Sequence, residues 1–294
     1  MSAASYDGRY HRFIEKMDQI PSLSAVVSRL IKVVNSSESS AEDVADLIEK
    51  DPALTSKVLR LSNSAFYGIP RSVSSVQSAV VILGFNTLKS IVLGASVLDL
   101  FSSGKATQAF DRTRFWKHSI VCALAAKGIA QGMLGRLNID PQSAFCAGIM
   151  HDIGKLIFEL FTPKEYAQLC AYASQKNIPL IEAEVAMMGI NHADIGRILA
   201  DKWALPFDLE CAIVHHHQPQ AANKIKELVS LVHLADVISH RLHCGLWDDE
   251  VPPQERTEAR EILAIDDAHY ERIVDSLENE IDKYQEFLAI IEGS

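Results

Sequence analysis

The sequence has few cysteines and no long apolar run. Its five cysteines among 294 residues are odd in number, lie far apart and form no CxxC pair. This argues against a disulfide framework and a thiolate zinc site, and it fits a reducing compartment. No stretch reaches the roughly 18 apolar residues of a membrane span, and the N-terminus lacks the apolar segment of a signal peptide. The sequence therefore predicts a cytoplasmic protein that does not cross a membrane.

An excess of positive charge is also absent. The chain has 28 Lys and Arg residues against 38 Asp and Glu residues, a net charge of −10. The acidity is concentrated in the segment from Asp248 to the C-terminus, which holds fifteen acidic and four basic residues. The rest of the chain carries a net charge of +1. We therefore expect no direct binding of nucleic acid and no electrostatic attachment to anionic lipid.

Apolar residues recur at spacings of three and four along most of the chain, which predicts an all-α fold. Ser40, followed by acidic residues, predicts one helix start, and Asp51 with Pro52 predicts another. Gly84 and Gly94 are expected to interrupt a long apolar helical run. The segment AFCAGIMHDIGKLIFEL is expected to form one core helix.

Two segments bear on the organisation of the chain. FSSGKAT is typical of a linker and predicts a subdomain boundary near residues 102–108. Near the C-terminus, apolar residues again step by three and four: Ile273, Leu277, Ile281, Tyr284, Leu288 and Ile291. This amphipathic helix needs a partner surface, which is either its own core or a second subunit in a homodimer.

Histidine and aspartate residues stand on or at the ends of several predicted core helices: His118, His151, Asp152, His192, His216, His217 and Asp236. Buried imidazoles and carboxylates are costly unless they pair or bind metal, so their convergence predicts a metal site. Nitrogen and oxygen donors without thiolate suit Fe, Mn, Ni, Zn or Mg. Asp152 could bridge two metals about 3.5–4 Å apart that lower the pKa of a shared water. Lys155 could then offset charge on a phosphate oxygen.

The remaining candidates have simpler interpretations. We expect the cysteines to be small buried hydrophobes. The loop around Asn63, Phe66 and Tyr67 is expected to pack between lobes rather than to bind a ligand. A group of further histidines is expected to be solvated or structural: His11, His233, His240, His243 and His269.

MHDIGK, with an upstream His in FWKHS and a downstream Asp in LADV, resembles the H…HD…D pattern of the HD metal-dependent phosphohydrolase superfamily. The segments IPSLSAVVSRLIKVVN, DPALTSKVLRLSNSAFYG, VSSVQSAVVILG and KWALP…HHHQP are similar to the HDOD family, the HD-related output domain of bacterial signalling proteins. The resemblance implies an all-helical, two-lobed module. We expect the HDOD domain to cover residues 19–240, with an N-terminal helical lobe (19–105) and an HD-like lobe (106–240). An N-terminal extension (1–18) and an acidic helical tail (241–294) are expected on either side of it.

The resemblance leaves function open between two classes. HDOD members are generally thought to have lost hydrolase activity, which favours a bacterial signal-transduction module that binds a regulatory protein or a nucleotide-type ligand. The related HD-GYP cyclic di-GMP phosphodiesterases have a ligand set for which this chain keeps candidates, with Lys155 in the lysine position. That favours a phosphohydrolase acting on a nucleotide or cyclic dinucleotide, with Asp152 as the bridge. QPQAANK after His217 has neither the expected Glu nor a GYP motif, which weakens the case for cyclic di-GMP. A structural metal site without turnover is a third possibility.

Overall fold

The computed structural model describes residues 20, 22–34, 39–64, 72–102, 110–247 and 250–278. Those residues form helices and contain no β-strand, so the predicted all-α class is confirmed. Within these ranges no helix is both long enough and apolar enough to cross a bilayer. In chain order the helices are α1 (Ala25–Val34), α2 (Ala41–Glu49), α3 (Pro52–Ser62), α4 (Val76–Leu83), α5 (Phe85–Ser102), α6 (Arg112–Gly132), α7 (Pro141–Met150), α8 (Ile153–Phe161), α9 (Pro163–Lys176), α10 (Leu180–Met188), α11 (His192–Trp203), α12 (Phe207–His215), α13 (Lys226–Arg241), α14 (Thr257–Leu263) and α15 (Asp267–Glu278), with a 3₁₀ turn at Pro219–Ala221.

The predicted starts of α2 and α3 are confirmed by their caps. The Ser40 hydroxyl accepts a hydrogen bond from the Asp43 N–H, and the Asp43 carboxylate accepts one from the Ser40 N–H at 2.8 Å. This reciprocal pair satisfies two backbone donors that a helix N-terminus leaves free. The Asp51 carboxylate accepts from two N–H groups of the next turn, and Pro52 occupies the first helical position.

The two glycines of the long apolar run behave differently. Gly84 ends α4 with a φ of +81°, a left-handed conformation that favours glycine, and it separates α4 from α5 as predicted. The predicted interruption at Gly94 is wrong, because α5 continues through it. Its neighbours Leu93 and Ala95 are buried. Their burial in the core offsets the roughly 1 kcal/mol that a glycine costs inside a helix.

Helix α6 is the centre of the second half of the molecule, where it packs on α7, α13 and α15. A Cβ at Gly148 of α7 would lie 2.5 Å from the Cα of Ala123 in α6. Glycine at this position therefore lets the two helix backbones approach closely. The close crossing brings the residues that follow α7 against the N-terminal half of α6.

The N-terminal helices pack among themselves, with α1 and α3 against α5 and α2 against α4. Helix α5 also packs against α7, and a single hydrophobic core runs through both predicted lobes. The first two residues of the predicted linker FSSGKAT, Phe101 and Ser102, belong to the end of α5. Its remaining residues, like Phe66 and Tyr67, lie outside the described residues. Asn63 is described, and its side chain makes hydrogen bonds to the N–H and carbonyl of Val73.

The first part of the acidic tail belongs to the same core as the helices before it. Helix α14 packs on α13, and α15 packs on α6. Tyr270, Val274 and Leu277 of α15 are buried within the chain. The later apolar positions of the predicted tail helix, from Ile281 to Ile291, lie outside the described residues.

Candidate metal centre

The fold brings all seven predicted metal-binding residues together. His118 lies in the second turn of α6, His192 begins α11, His216 and His217 follow α12, and Asp236 lies in α13. The expected single helix around His151 is wrong, because α7 ends at Met150 and α8 begins at Ile153. The break places His151 and Asp152 between two helices that pack on different neighbours.

Asp152 lies at the centre of the cluster, with its two carboxylate oxygens facing different imidazoles. Oδ2 is 3.3 Å from Nε2 of His118 and 3.3 Å from Nε2 of His151. Oδ1 is 3.2 Å from Nε2 of His192 and 3.6 Å from Nε2 of His216. One carboxylate therefore joins two groups of histidines.

Each group includes a further predicted residue. His217 Nε2 lies 2.9 Å from His192 Nε2 on the Oδ1 side. Asp236 Oδ1 lies 3.3 Å from His118 Nε2 on the Oδ2 side. The first group is Asp152, His192, His216 and His217, and the second is Asp152, His118, His151 and Asp236.

Four of the histidines have their Nδ1 atoms held by acceptors outside the cluster. The partners are the Cys244 carbonyl for His118 (3.1 Å), the Gly148 carbonyl for His151 (2.7 Å), the Ile213 carbonyl for His216 (2.9 Å) and the Glu184 carboxylate for His192 (2.6 Å). Carbonyls and carboxylates only accept hydrogen bonds, so Nδ1 carries the proton in each ring. In the neutral ring Nε2 then has a free lone pair, and all four Nε2 atoms point into the cluster.

Two carboxylate oxygens of the cluster lack a hydrogen-bond donor within the described part of the chain. Asp152 Oδ1 and Asp236 Oδ1 are buried, and neither finds a donor in hydrogen-bonding geometry among the described residues. Buried carboxylate oxygens without donors are costly. Converging lone pairs and carboxylate oxygens are the donor set that divalent cations take in helical bundles. The residues therefore fit one or two divalent metal ions, and this donor set leaves Fe, Mn, Ni, Zn and Mg all possible.

The two groups differ electrostatically. Burial lowers the pKa of His216 to about 4 and the pKa of His217 well below its usual value, so both rings are neutral at pH 7. Burial also acts to lower the pKa of His118, but Asp152 and Asp236 outweigh it, and the pKa is raised. Without metal, the second group therefore holds protons that compensate its carboxylates.

Lys155 contacts the cluster through Asp152. Its Nζ lies 2.6 Å from Asp152 Oδ2, and its side chain is buried. Burial acts to lower the pKa of Lys155, but the charge of Asp152 outweighs it and raises the pKa. The amine is therefore a buried cation beside the centre.

Glu184 was not predicted. Its carboxylate accepts from both the backbone N–H (2.8 Å) and the Nδ1 of His192 (2.6 Å), and it is completely buried. A carboxylate that fixes a metal-binding histidine is a common arrangement in metal sites. A sequence signal existed, because Glu184 shares the buried face of α10 with Leu180 and Ala183.

His240 was expected to be solvated or structural, but the structure places it at the edge of the cluster. Its Nε2 lies 3.5 Å from Asp236 Oδ1, and it forms a third potential ligand group with His118 and Asp236. Its position one helical turn after Asp236 is the signal that could have found it. His233 is structural, as expected, and the five cysteines are buried and free.

The comparisons with known proteins agree with the all-α fold. The HDOD domain model matches residues 20–219. A solved HDOD domain protein of unknown function from Geobacter sulfurreducens is 27% identical, with a TM-score of 0.76 and coverage of 97% of this chain and 98% of that one. A solved protein from Shewanella amazonensis, provisionally assigned as a phosphohydrolase, is 26% identical, with a TM-score of 0.70 and coverage of 96% and 97%.

A relative from Treponema pallidum is 26% identical over 226 residues, which are 76% of this chain and 42% of the relative. The chain thus spans about two fifths of the length of that curated relative. The HDOD match covers more than half of the chain and includes every predicted metal-binding residue except Asp236. This protein belongs to the HDOD family.

Proposed function

We propose that this protein is a metal-dependent phosphohydrolase that acts on a nucleotide-type phosphate ester. The observation that carries the proposal is Asp152, whose two oxygens face two separate groups of imidazoles. A carboxylate in that position suits a pair of metal ions on either side of it. The similarity to a Shewanella amazonensis protein provisionally assigned as a phosphohydrolase also supports it.

The two groups would each hold one ion, with Asp152 shared between them. When bound, divalent metals supply Lewis acidity and generate a nucleophile from water at neutral pH. Lys155 donates one of its three N–H groups to Asp152, which leaves others to bind a phosphoryl oxygen. Its fixed positive charge would stabilise the negative charge that develops on phosphate in the transition state.

Two features of the chain hold these residues in place. The Glu184 carboxylate fixes the ring orientation and tautomer of His192. Without metal, burial acts to raise the pKa of Asp152, but the charges of His151 and Lys155 outweigh it and hold the pKa well below the usual range. Asp152 is therefore a carboxylate at neutral pH, and it can serve as a ligand on both sides.

The experiment compares hydrolysis of p-nitrophenyl phosphate, bis(p-nitrophenyl) phosphate and nucleoside monophosphates by the wild type and by Asp152→Asn and Lys155→Met. Asp152→Asn should lose both metal and activity. Lys155→Met should keep its metal and lose about 100- to 1,000-fold in kcat, as other transition-state donors do. Asp201→Asn, an exposed site on α11, is the matched control and should retain activity. Activity that survives Asp152→Asn would contradict the proposal.

A regulatory role without turnover is the second candidate. The side chains of Asp152 and Lys155 are almost completely buried and bound to each other, which also suits a metal-stabilised module that binds a partner protein or a ligand. Such a protein would bind metal at Asp152 and lose it in Asp152→Asn, yet it would hydrolyse none of these esters. The same experiment therefore separates the two functions.

A further inference from the structure

A cavity of about 380 Å³ lies beside the metal centre. His217 lines it and is partly exposed, whereas the other six predicted ligands are at most 1% exposed. His217 is therefore the member of the cluster that faces open space. A small molecule that reaches the centre from solvent has this cavity as its approach.

The walls of the cavity are mainly apolar. Ile181 and Val185 of α10 contribute to one part, and Pro253 of the segment before α14 contributes to another. Asn191 and Gln254 also line the cavity. The side-chain oxygen of Asn191 accepts a hydrogen bond from a backbone N–H of α11, and its amide N–H groups, like the amide of Gln254, are polar groups that a ligand can use. Apolar walls with a few amide groups suit a flat heterocycle whose edges carry polar atoms.

One guanidinium lines the same cavity. Arg256 Nε is buried and has no hydrogen-bond acceptor among the described residues, and NH1 makes only a long contact of 3.5 Å with Gln254. Arginine is the side chain best suited to bind a phosphate oxygen. An arginine with few partners in a cavity beside a metal centre suits an anionic ligand.

The position of Arg256 is tied to the metal centre. Its backbone N–H donates to His233 Nε2 at 2.9 Å, and His233 Nδ1 donates to the carbonyl oxygen of His216 at 2.7 Å. The segment that carries Arg256 is thus connected through one imidazole to the backbone of a predicted metal ligand. Arg256 and the metal centre therefore border the same cavity.

The charge and size of the cavity limit the class of ligand that it can bind. Glu182 also lines it, so Arg256 is balanced by one carboxylate, which disfavours a polyphosphate chain. About 380 Å³ lies near the lower end of the 300–1,000 Å³ typical of small-molecule sites. It suits one nucleotide unit better than a cyclic dinucleotide, which has twice as many atoms.

We infer, on the basis of the proposed function, that this cavity binds a nucleoside monophosphate, with the base between α10 and Pro253 and the phosphate near His217 and Arg256. The inference selects a mononucleotide from the wider class of nucleotide-type esters. Arg256 is assigned to binding rather than to chemistry, so its loss should raise KM more than it lowers kcat.

The test uses the full chain with the metal it carries when purified. Calorimetry measures binding of the phosphonate analogue of AMP, whose P–C bond resists hydrolysis, and of a phosphorothioate analogue of cyclic di-GMP. Val185→Trp fills the cavity from a residue that is 51% exposed, and Arg256→Gln removes the guanidinium. The matched controls are Val81→Trp, at a residue that is 74% exposed on α4, and Arg272→Gln, on the surface of α15.

The AMP analogue should bind more tightly than the dinucleotide analogue. Val185→Trp and Arg256→Gln should each weaken its binding about 10- to 100-fold, with unchanged metal content, and the controls should bind as the wild type does. The inference would be overturned if the AMP analogue failed to bind metal-loaded protein, or if neither cavity variant changed its binding. Either result would leave the assignment of the metal centre unchanged. If the AMP analogue binds in this cavity but the metal-loaded wild type hydrolyses none of the phosphate esters, the proposed hydrolase is overturned and the cavity assignment is kept.

Discussion

Replacing Glu184 with Gln tests whether the residues around the cluster hold its histidines for metal binding. Glu184 accepts two hydrogen bonds from His192 through one oxygen, at 2.8 Å and 2.6 Å, and its other oxygen has no donor among the described residues. Glutamine has nearly the same shape, so the core around α10 stays filled. It carries no charge, however, and the two charge-assisted hydrogen bonds become ordinary ones.

The size of the effect follows from these two contacts. A hydrogen bond to a charged group contributes about 1.5–3 kcal/mol and a neutral one about 1 kcal/mol. Each of the two bonds therefore weakens by about 0.5–2 kcal/mol, so we expect the orientation of His192 to weaken by about 1–4 kcal/mol, which corresponds to roughly a 5- to 1,000-fold loss of metal affinity. Substitution of residues that support metal ligands typically costs about 10- to 100-fold.

Competition with a chromophoric chelator measures that affinity for Zn²⁺ and Mn²⁺. Glu182→Gln is the control, because it makes the same change of charge at an exposed residue of α10. Glu184→Gln should bind metal more weakly while Glu182→Gln matches the wild type. Equal affinities for the wild type and Glu184→Gln, or an equal loss in both variants, would refute the role assigned to Glu184.

Three further predictions concern packing, metal and assembly. In Gly154→Ala the new Cβ would lie 1.9 Å from the His192 carbonyl oxygen. Calorimetry should therefore show a lower melting temperature, and elemental analysis should show less bound metal. Gly132→Ala, where the new Cβ has no close neighbour, should change neither quantity. Removing metal with a chelator should lower the melting temperature by on the order of 10 °C if the metal is present at about 1,000 times its Kd, and an unchanged temperature would argue against a bound metal. Deleting residues 279–294 should convert a dimer into a monomer in light scattering if the end of the tail forms the contact, whereas an unchanged mass would exclude that contact.

The structural features that the sequence predicted correctly depend on residues that are close together in the chain. The caps at Ser40 and Asp51 satisfy donors of their own helices, so a few letters are enough to identify them. The break at His151 could not be predicted in this way, because the apolar spacing runs through it and the nearby glycines, Gly148 and Gly154, lie inside helices rather than at the break. At Gly94 the error was the reverse. The sequence predicted a break there, but the helix is continuous because the neighbours of Gly94 are buried.

The candidate site was predicted as a set of residue types but without its surroundings. The seven predicted residues converge. Glu184 joins them through a contact between α10 and the start of α11, and His240 joins them through Asp236, one turn earlier in α13. Arg256 lies in a segment whose acidity suggested a separate tail. Its backbone contact with His233 connects this segment to the cluster.

The most direct test of the metal centre is the metal content of the chain. Protein purified without chelator or histidine tag is measured by plasma mass spectrometry, with Asp152→Asn as the variant and Asp201→Asn as the control. The shared carboxylate predicts close to two equivalents of divalent metal in the wild type and the control, and their loss in Asp152→Asn. Wild-type protein that contains no metal and cannot be reconstituted with Fe, Mn, Ni, Zn or Mg would contradict the account.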